Sequence, residues 1–262
     1  MSDSAPEQGS GLDVRREGGA LWLTFNRPQV FNALSGEMAD EIATLVEDAT
    51  ADDEVRVVVL TGTGAAFSTG ADISGSTDDF DERTMDRANR IIRAIVNLDK
   101  PVVAAVNGIA AGIGCSAALA ADLVVATESA AFLLAFARVG LMPDGGATAT
   151  VTAAVGRARA MRMALLAEPL SARDAYDAGL VSHLATDEEF EETVATVVRR
   201  LAGGPPLAFA ATKRAVNAAA LDQLEAALER ERTGQNVLLR TADAAEGVRA
   251  FVEKRRPEFR GE

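Results

Sequence analysis

Pro101-Val-Val-Ala-Ala-Val-Asn-Gly-Ile-Ala-Ala-Gly-Ile-Gly-Cys-Ser-Ala-Ala-Leu-Ala-Ala-Asp-Leu-Val-Val-Ala126 is the stretch that decides the architecture. Its opening residues, Pro101 to Val106, are an apolar, Val-rich run, which reads as a buried strand. Asn107-Gly108 turns the chain, Gly112 to Ala121 reads as a helix of small residues, and Leu123 to Ala126 is again a strand. The 21 residues from Pro101 to Ala121 carry no charge, long enough to cross a bilayer. They are mostly Ala among the apolar positions, hold Asn107 and three glycines, and lack a Trp or Tyr at either end, so strand, turn and buried helix is the better reading. No membrane partner is expected.

Outward from this unit the same alternation continues. Ala20 to Asn26 alternates as a strand and is stopped by Asn26-Arg27-Pro28. Ser35 caps a helix that carries Met38, Ile42, Leu45 and Val46 at helical spacing. Val55 to Thr61 is a second buried strand, Gly62 to Gly75 a loop, and Asp81 to Asn97 an amphipathic helix. Downstream, Ala153 to Leu166 and Ser171 to Ala178 read as helices and Leu180 to Ser182 as a short strand. After Glu188 the chain is helical almost throughout, broken at Gly203-Gly204-Pro205-Pro206. Alternating strands and helices predict an α/β fold with largely parallel strands. The last third, all helix, either packs on the sheet or reaches a neighbouring subunit. The expected division is a disordered tail over 1–12, a core over 13–200 and a helical region over 201–262.

Composition narrows the function classes. The chain has 262 residues, 26 basic and 39 acidic, and a net charge of −13. An acidic surface of that size repels a phosphate backbone, so no nucleic-acid partner is expected. One Cys and one His leave no intrachain disulfide, Cys-based zinc site or His cluster, so no metal is expected. The polar, acidic N-terminus lacks the basic and apolar regions of a signal peptide, and a cytoplasmic location is expected.

Three Gly-rich turns follow strands: Ala66-Phe-Ser-Thr-Gly-Ala-Asp-Ile73, Asn107-Gly-Ile-Ala-Ala-Gly-Ile-Gly114 and Gly140-Leu-Met-Pro-Asp-Gly-Gly146. Ligands gather beyond the carboxyl ends of parallel strands, and glycine lets the backbone aim its N–H groups at them. An N–H at Ile113 sits where a helix begins, and a second from the Gly70-Ala71 turn would complete a two-donor oxyanion site. Gly108 to Gly114 also spells G-x-x-x-G-x-G, but a short-chain dehydrogenase would place that pattern near the chain start and carry Lys four residues after a Tyr. The one tyrosine is Tyr176, and residue 180 is Leu. No Walker A loop occurs.

In order and spacing the three loops resemble the crotonase (enoyl-CoA hydratase/isomerase) superfamily, with Asn26-Arg27-Pro28, Asn32-Ala33-Leu34, Ala121-Asp122, Gly179-Leu180-Val181 and Phe251 to Phe259 completing the match. The resemblance implies a crotonase-like ββα spiral and C-terminal helices used in trimer assembly, giving a homotrimer or dimer of trimers. It implies an acyl-CoA thioester as substrate, with no other cofactor. The oxyanion donors map to the N–H groups of Ala71 and Ile113, and the loop positions Ala66, Gly70, Asp72, Ile73 and Gly112 to the substrate-binding surface. Arg27, Lys213 and Lys254 match places near the CoA; each can equally be a solvated surface residue, and Asp72 a residue that holds its own loop.

Family members that hydrate enoyl-CoA use two glutamates; the matching places here are Ser116 and Phe136. Neither can hold and deprotonate a water as a carboxylate pair does. A different acid stands in the third loop. Asp144 matches the place where isomerases of the family, including ring-enoyl isomerases of phenylacetate catabolism, carry a proton-shuttling acid. An Asp ahead of a helix is also a good N-cap. Three functions stay open on the sequence: an enoyl-CoA isomerase with Asp144 as acid/base, a hydratase or hydrolase on the same scaffold, and a non-catalytic acyl-CoA-binding subunit. Cys115 reads as a core residue, His183 as a surface or packing histidine and Glu128 as an exposed acid.

Overall fold

β5 (Val102–Val106) is buried along its whole length. Its side chains alternate between two cores: Val102, Ala104 and Val106 face one, Val103 and Ala105 the other. A strand with water on neither face has no use for polar residues, which is why it reads as a continuous apolar run.

The computed structural model describes residues 10–73 and 82–262. Residues 1–9 of the tail expected over 1–12, and residues 74–81, lie outside those residues; the second gap takes up most of the segment 74–83, which the sequence reading places over the acyl pocket. Around β5 stand β1 (Leu12–Glu17), β2 (Ala20–Phe25), β3 (Val57–Gly62), β7 (Leu123–Thr127) and β10 (His183–Ala185). They form one sheet in the order β1-β2-β3-β5-β7-β10, parallel except for the antiparallel β1–β2 hairpin. A second sheet runs β4 (Ala66–Ser68), β6 (Ile109–Ala111), β8 (Ala131–Leu133), β9 (Leu170–Ser171), with only β8–β9 antiparallel.

Each turn of the spiral lays a strand in the first sheet and then a short strand in the second. A helix follows the first two turns: β3, β4 and α2 (Glu82–Asn97), then β5, β6 and α3 (Gly112–Ala120). In the third turn, β7 and β8 lead through a 3-10 turn, Ala135–Val139, to α4 (Ala147–Leu166). With α1 (Gly36–Asp48), α2 and α3 seal the larger core. α6 (Phe190–Ala202) covers the other face of the first sheet through Val194, Val197 and Val198. This is the expected α/β spiral. The expected 101–121 unit becomes β5, β6 and α3, and among the described residues no helix is long and apolar enough to cross a membrane.

Several expectations need correction. β1 was not foreseen, and it begins at Leu12 inside the expected tail. The second sheet was missed because its strands are two or three residues long, too short for a period to register. The strand expected at 180–182 lies at 183–185; Leu180 and Ser182 instead bond back to Ala175 and Val124. α4 starts at Ala147, six residues before the expected Ala153, and breaks at Gly156, whose φ is +72°.

The last third comprises α7 (Pro206–Ala220), α8 (Leu224–Leu238) and α9 (Ala242–Val252), after the short α5 (Ala172–Asp177). It does pack on its own chain: α8 lies against α2 and α4, and α9 against the 135–139 turn.

Candidate active site

The first two Gly turns meet face to face. Gly70 has a φ of +99°, and a Cβ added to it would stand 3.0 Å from Ala111 O, 3.4 Å from Gly112 Cα and 3.5 Å from Ile113 N. Only glycine lets the two backbones approach that closely. Leu34 N donates to Gly70 O at 2.8 Å and Asp72 N to Leu34 O at 3.0 Å, so the flanking peptides are tied down on one side of Ala71. Neither Ala71 N nor Ile113 N has an acceptor among the described residues. Ile113 lies in the first turn of α3, whose cap residue, Ala111, has no side chain able to cap. The positive end of a buried helix is thus left open beside a second open amide, an arrangement suited to an anionic oxygen.

The third loop closes on the same place. A Cβ on Gly145 would overlap Ile113 Cδ1 and come within 3.0 Å of Ser116 Cβ. Ser116 Oγ donates to Asp144 O at 2.8 Å, fixing the main chain of the acid. The Asp144 side chain is buried, with the whole residue 7% exposed. Gln235 Nε2 donates to its Oδ2 at 2.8 Å, while Oδ1 is buried without a partner among the described residues. Burial pushes its pKa up to about 7; the Gln235 hydrogen bond opposes that rise and the Glu231 carboxylate adds to it.

Asp144 is not the cap of α4, the alternative the sequence left open. The cap position is Gly146, and the carboxylate that serves the helix start is Glu231 of α8. Its Oε2 accepts from Gly146 N at 2.6 Å, and its Oε1 from Thr148 N at 2.9 Å and Thr148 Oγ1 at 2.5 Å. Those bonds start α4 earlier than its own sequence suggests.

Other sequence-derived residues fall in three groups. Arg27 and Asp72 join each other: Arg27 Nη2 reaches Asp72 Oδ2 at 2.9 Å and its Nη1 donates to Ala33 O at 2.7 Å. Asp72 therefore holds its loop, as the blander reading had it. Ile73 is half-buried beside it, and Gly112 lies in the contact just described. Ala66, at the start of β4, is fully buried and its carbonyl is engaged within the chain. That oxygen already accepts from Asn32 Nδ2 at 2.7 Å and Asn107 Nδ2 at 3.3 Å, which occupies both lone pairs.

Lys213 is bonded within its own chain. Its ammonium is buried, 2.8 Å from Asp122 Oδ2, and donates to Ile95 O at 2.8 Å and Lys100 O at 3.2 Å. Burial lowers its pKa and raises that of Asp122, and their mutual attraction opposes both shifts. The pair sits at the amino ends of β5 and β7, the edge of the sheet opposite the Gly turns. Lys254 is exposed in the turn after α9 with a φ of +54°, and its main-chain N–H donates to Phe251 O at 3.1 Å. The remaining residues behave as read: Cys115 is fully buried with its thiol pushed up to about 12 by burial, His183 is exposed, and Glu128 is exposed and paired with Arg173. Ser116 and Phe136 are both buried. No cluster of His, Cys, Asp and Glu able to hold a metal occurs among the described residues.

Two site residues were missed in the sequence, Glu231 and Gln235, both fully buried or nearly so. A signal existed. The apolar stripe Leu224, Ala227, Leu228 continues at helical spacing through 231 and 235, so the buried face of α8 ends in an acid and an amide.

A ββα spiral whose glycine turns bring together two open amides, one of them at a helix start, defines the crotonase class of α/β protein. The chain belongs to the enoyl-CoA hydratase/isomerase family, whose model matches residues 15–262. It is 38% identical over 252 residues to 1,2-epoxyphenylacetyl-CoA isomerase of Escherichia coli K12, covering 94% of this chain and 96% of that protein. It is 44% identical over 246 residues to a probable enoyl-CoA hydratase of Rhodobacter capsulatus, covering 93% and 95%. Among solved structures it resembles an enoyl-CoA hydratase from Mycobacterium avium subsp. paratuberculosis K-10, with 49% identity, a TM-score of 0.91 and coverage of 95% and 98%.

Proposed function

We propose that this protein moves the double bond of an enoyl-CoA, with Asp144 as the single acid/base and the amides of Ala71 and Ile113 as oxyanion donors. The observation that carries the reading is Asp144 Oδ1: a buried, unpartnered oxygen of a carboxyl group poised near neutrality. The thioester carbonyl would accept from both amides. Asp144, ionised, would remove a proton from C2; the resulting dienolate charge is held by the two donors. The protonated acid then returns the proton at C4, and the double bond ends conjugated with the thioester. An acid near pH 7 serves both steps, because neither protonation state is far out of reach. Each oxyanion donor of this kind contributes on the order of 3 kcal/mol to the transition state. No cofactor beyond the thioester is called for, and a cytoplasmic setting belongs to this reading, since a lone thiol suits a reducing compartment.

The test is Asp144→Asn. Conversion of a 3-enoyl-CoA, followed by the ultraviolet absorbance of the conjugated product, should fall on the order of 10²–10⁴-fold. An unchanged rate would sink the assignment.

The relatives named as hydratases support a second reading, hydration of a 2-enoyl-CoA with Asp144 alone activating the water. Against it stands the absence of a carboxylate pair, since Ser116 is bonded to Asp144 O and Phe136 is apolar. Mass spectrometry of CoA thioesters separates these: isomer, added water, free CoA from hydrolysis, or binding without turnover.

The same reading includes a homotrimer or dimer of trimers. Among the described residues, most of the large apolar side chains left exposed come late in the chain, including Leu165, Leu166, Leu207, Phe251 and Val252. Light scattering should give three or six chains of 27.3 kDa; a clean monomer would refute it.

A further inference from the structure

We propose that Gln235 is a positioning residue that gives the two oxygens of Asp144 separate tasks, holding Oδ2 as a permanent acceptor and leaving Oδ1 as the one oxygen that carries the proton. The inference rests on Asp144 being the acid/base of the proposed reaction.

The Gln235 amide has no freedom to turn over. Its Oε1 accepts from Met142 N at 3.1 Å, and its Nε2 donates to Met142 O at 2.9 Å. A main-chain N–H can only donate, so the Met142 contact fixes which end of the amide is oxygen. The second N–H of Nε2 is then aimed at Asp144 Oδ2 at 2.8 Å. Gln235 is 1% exposed, so no water competes for these bonds. The main chain of the acid is held independently by Ser116 Oγ.

A consequence follows for the neutral form of the acid. A proton on Oδ2 would face the Gln235 N–H donor to donor. The proton therefore resides on Oδ1, the oxygen that has no partner among the described residues. A 1,3-shift needs one oxygen to take a proton and give it back a short distance away, and this arrangement supplies a fixed one. Among the described residues the titratable group that acts on Asp144 is Glu231, on the same helix as Gln235 and held by Gly146 N, Thr148 N and Thr148 Oγ1. From α3 the group that faces it is Ser116, which does not titrate in this range.

The experiment is Gln235→Leu, close in size and without the amide. The expected result is a ten- to hundredfold fall in kcat, a KM for the 3-enoyl-CoA within about threefold of wild type, and an acid limb of the kcat–pH profile displaced upward. The upward sign follows from removing a bond that favours the ionised acid. A purely structural role would lower the melting temperature without moving the limb, and an unmoved limb overturns the proposal. Should Gln235→Leu fail to fold, infrared difference spectra of wild type against Asp144→Asn below pH 7 decide. A carboxylic C=O band lowered in frequency by an accepted hydrogen bond supports the proposal; an unbonded C=O overturns it. If Asp144→Asn keeps full activity, the proposed function has failed. If it is inactive while Gln235→Leu matches wild type, only the positioning role has.

Discussion

The candidate site has a neutral half and a charged half, and they are built in different ways. The neutral half is main chain: Ala71 N and Ile113 N on two abutting glycine turns. Nothing there titrates, because each donor is a peptide group. The charged half is Asp144, held by side chains from α8 that lie as far as 91 residues along the chain. The neutral half depends on how little side chain is present; the charged half depends on which side chains are present. An amide donor is kept in place by close packing of backbone, whereas a buried acid is kept useful by the polar groups around it.

The largest expected effect lies in the charged half. Asp144 is raised from an unfolded value near 3.8 to about 7, so the folded state binds more protons between those limits. Wild-type stability should therefore fall as pH rises from about 4 to about 7 and level off above. Asp144→Asn lacks this contribution. Urea unfolding should show the variant gaining on wild type across that window, by up to about 4 kcal/mol at pH 8. Parallel pH profiles for the two proteins would mean that the acid is not buried as drawn.

Next comes the neutral half. Gly70→Ala places a Cβ 3.0 Å from Ala111 O at a φ of +99°. The turn must shift and carry Ala71 N with it. A loss of about 10²-fold in kcat is expected, together with roughly 1–3 kcal/mol of stability. If kcat stays within twofold, the amide of residue 71 is not a donor in the reaction.

The smallest effect is expected at Glu231→Gln. One of its oxygens becomes an NH₂ that faces an N–H, at Gly146 or at Thr148, and a buried mismatch of this kind costs roughly 1–3 kcal/mol. Thermal unfolding reads that cost. Losing the carboxylate also lowers the pKa of Asp144, so the acid limb of kcat should move down, opposite to Gln235→Leu. Two variants on one helix face that shift the limb the same way would break the division of roles between them.

Legibility in the sequence followed the range of the forces involved. β5 and β7 were readable because a strand buried on both faces is apolar throughout. β4, β6, β8 and β9 were not, since strands of two or three residues show no period and exist only because neighbours pair with them. The start of α4 was misplaced because its cap, Glu231, comes from another helix. Lys213 looked available for a ligand until its pairing with Asp122 placed it inside the fold.

The sequence alone determined the alternation of strands and helices and the Gly-rich turns that carry the two amides, because apolar period and glycine placement act through the nearest bonds of the chain; the spiral was what the family resemblance implied. Only the tertiary structure decided that Asp144 is buried, unpartnered at one oxygen and close to neutrality. Desolvation and hydrogen bonds from α8 set its proton affinity, and neither exists until segments 91 residues apart are packed together.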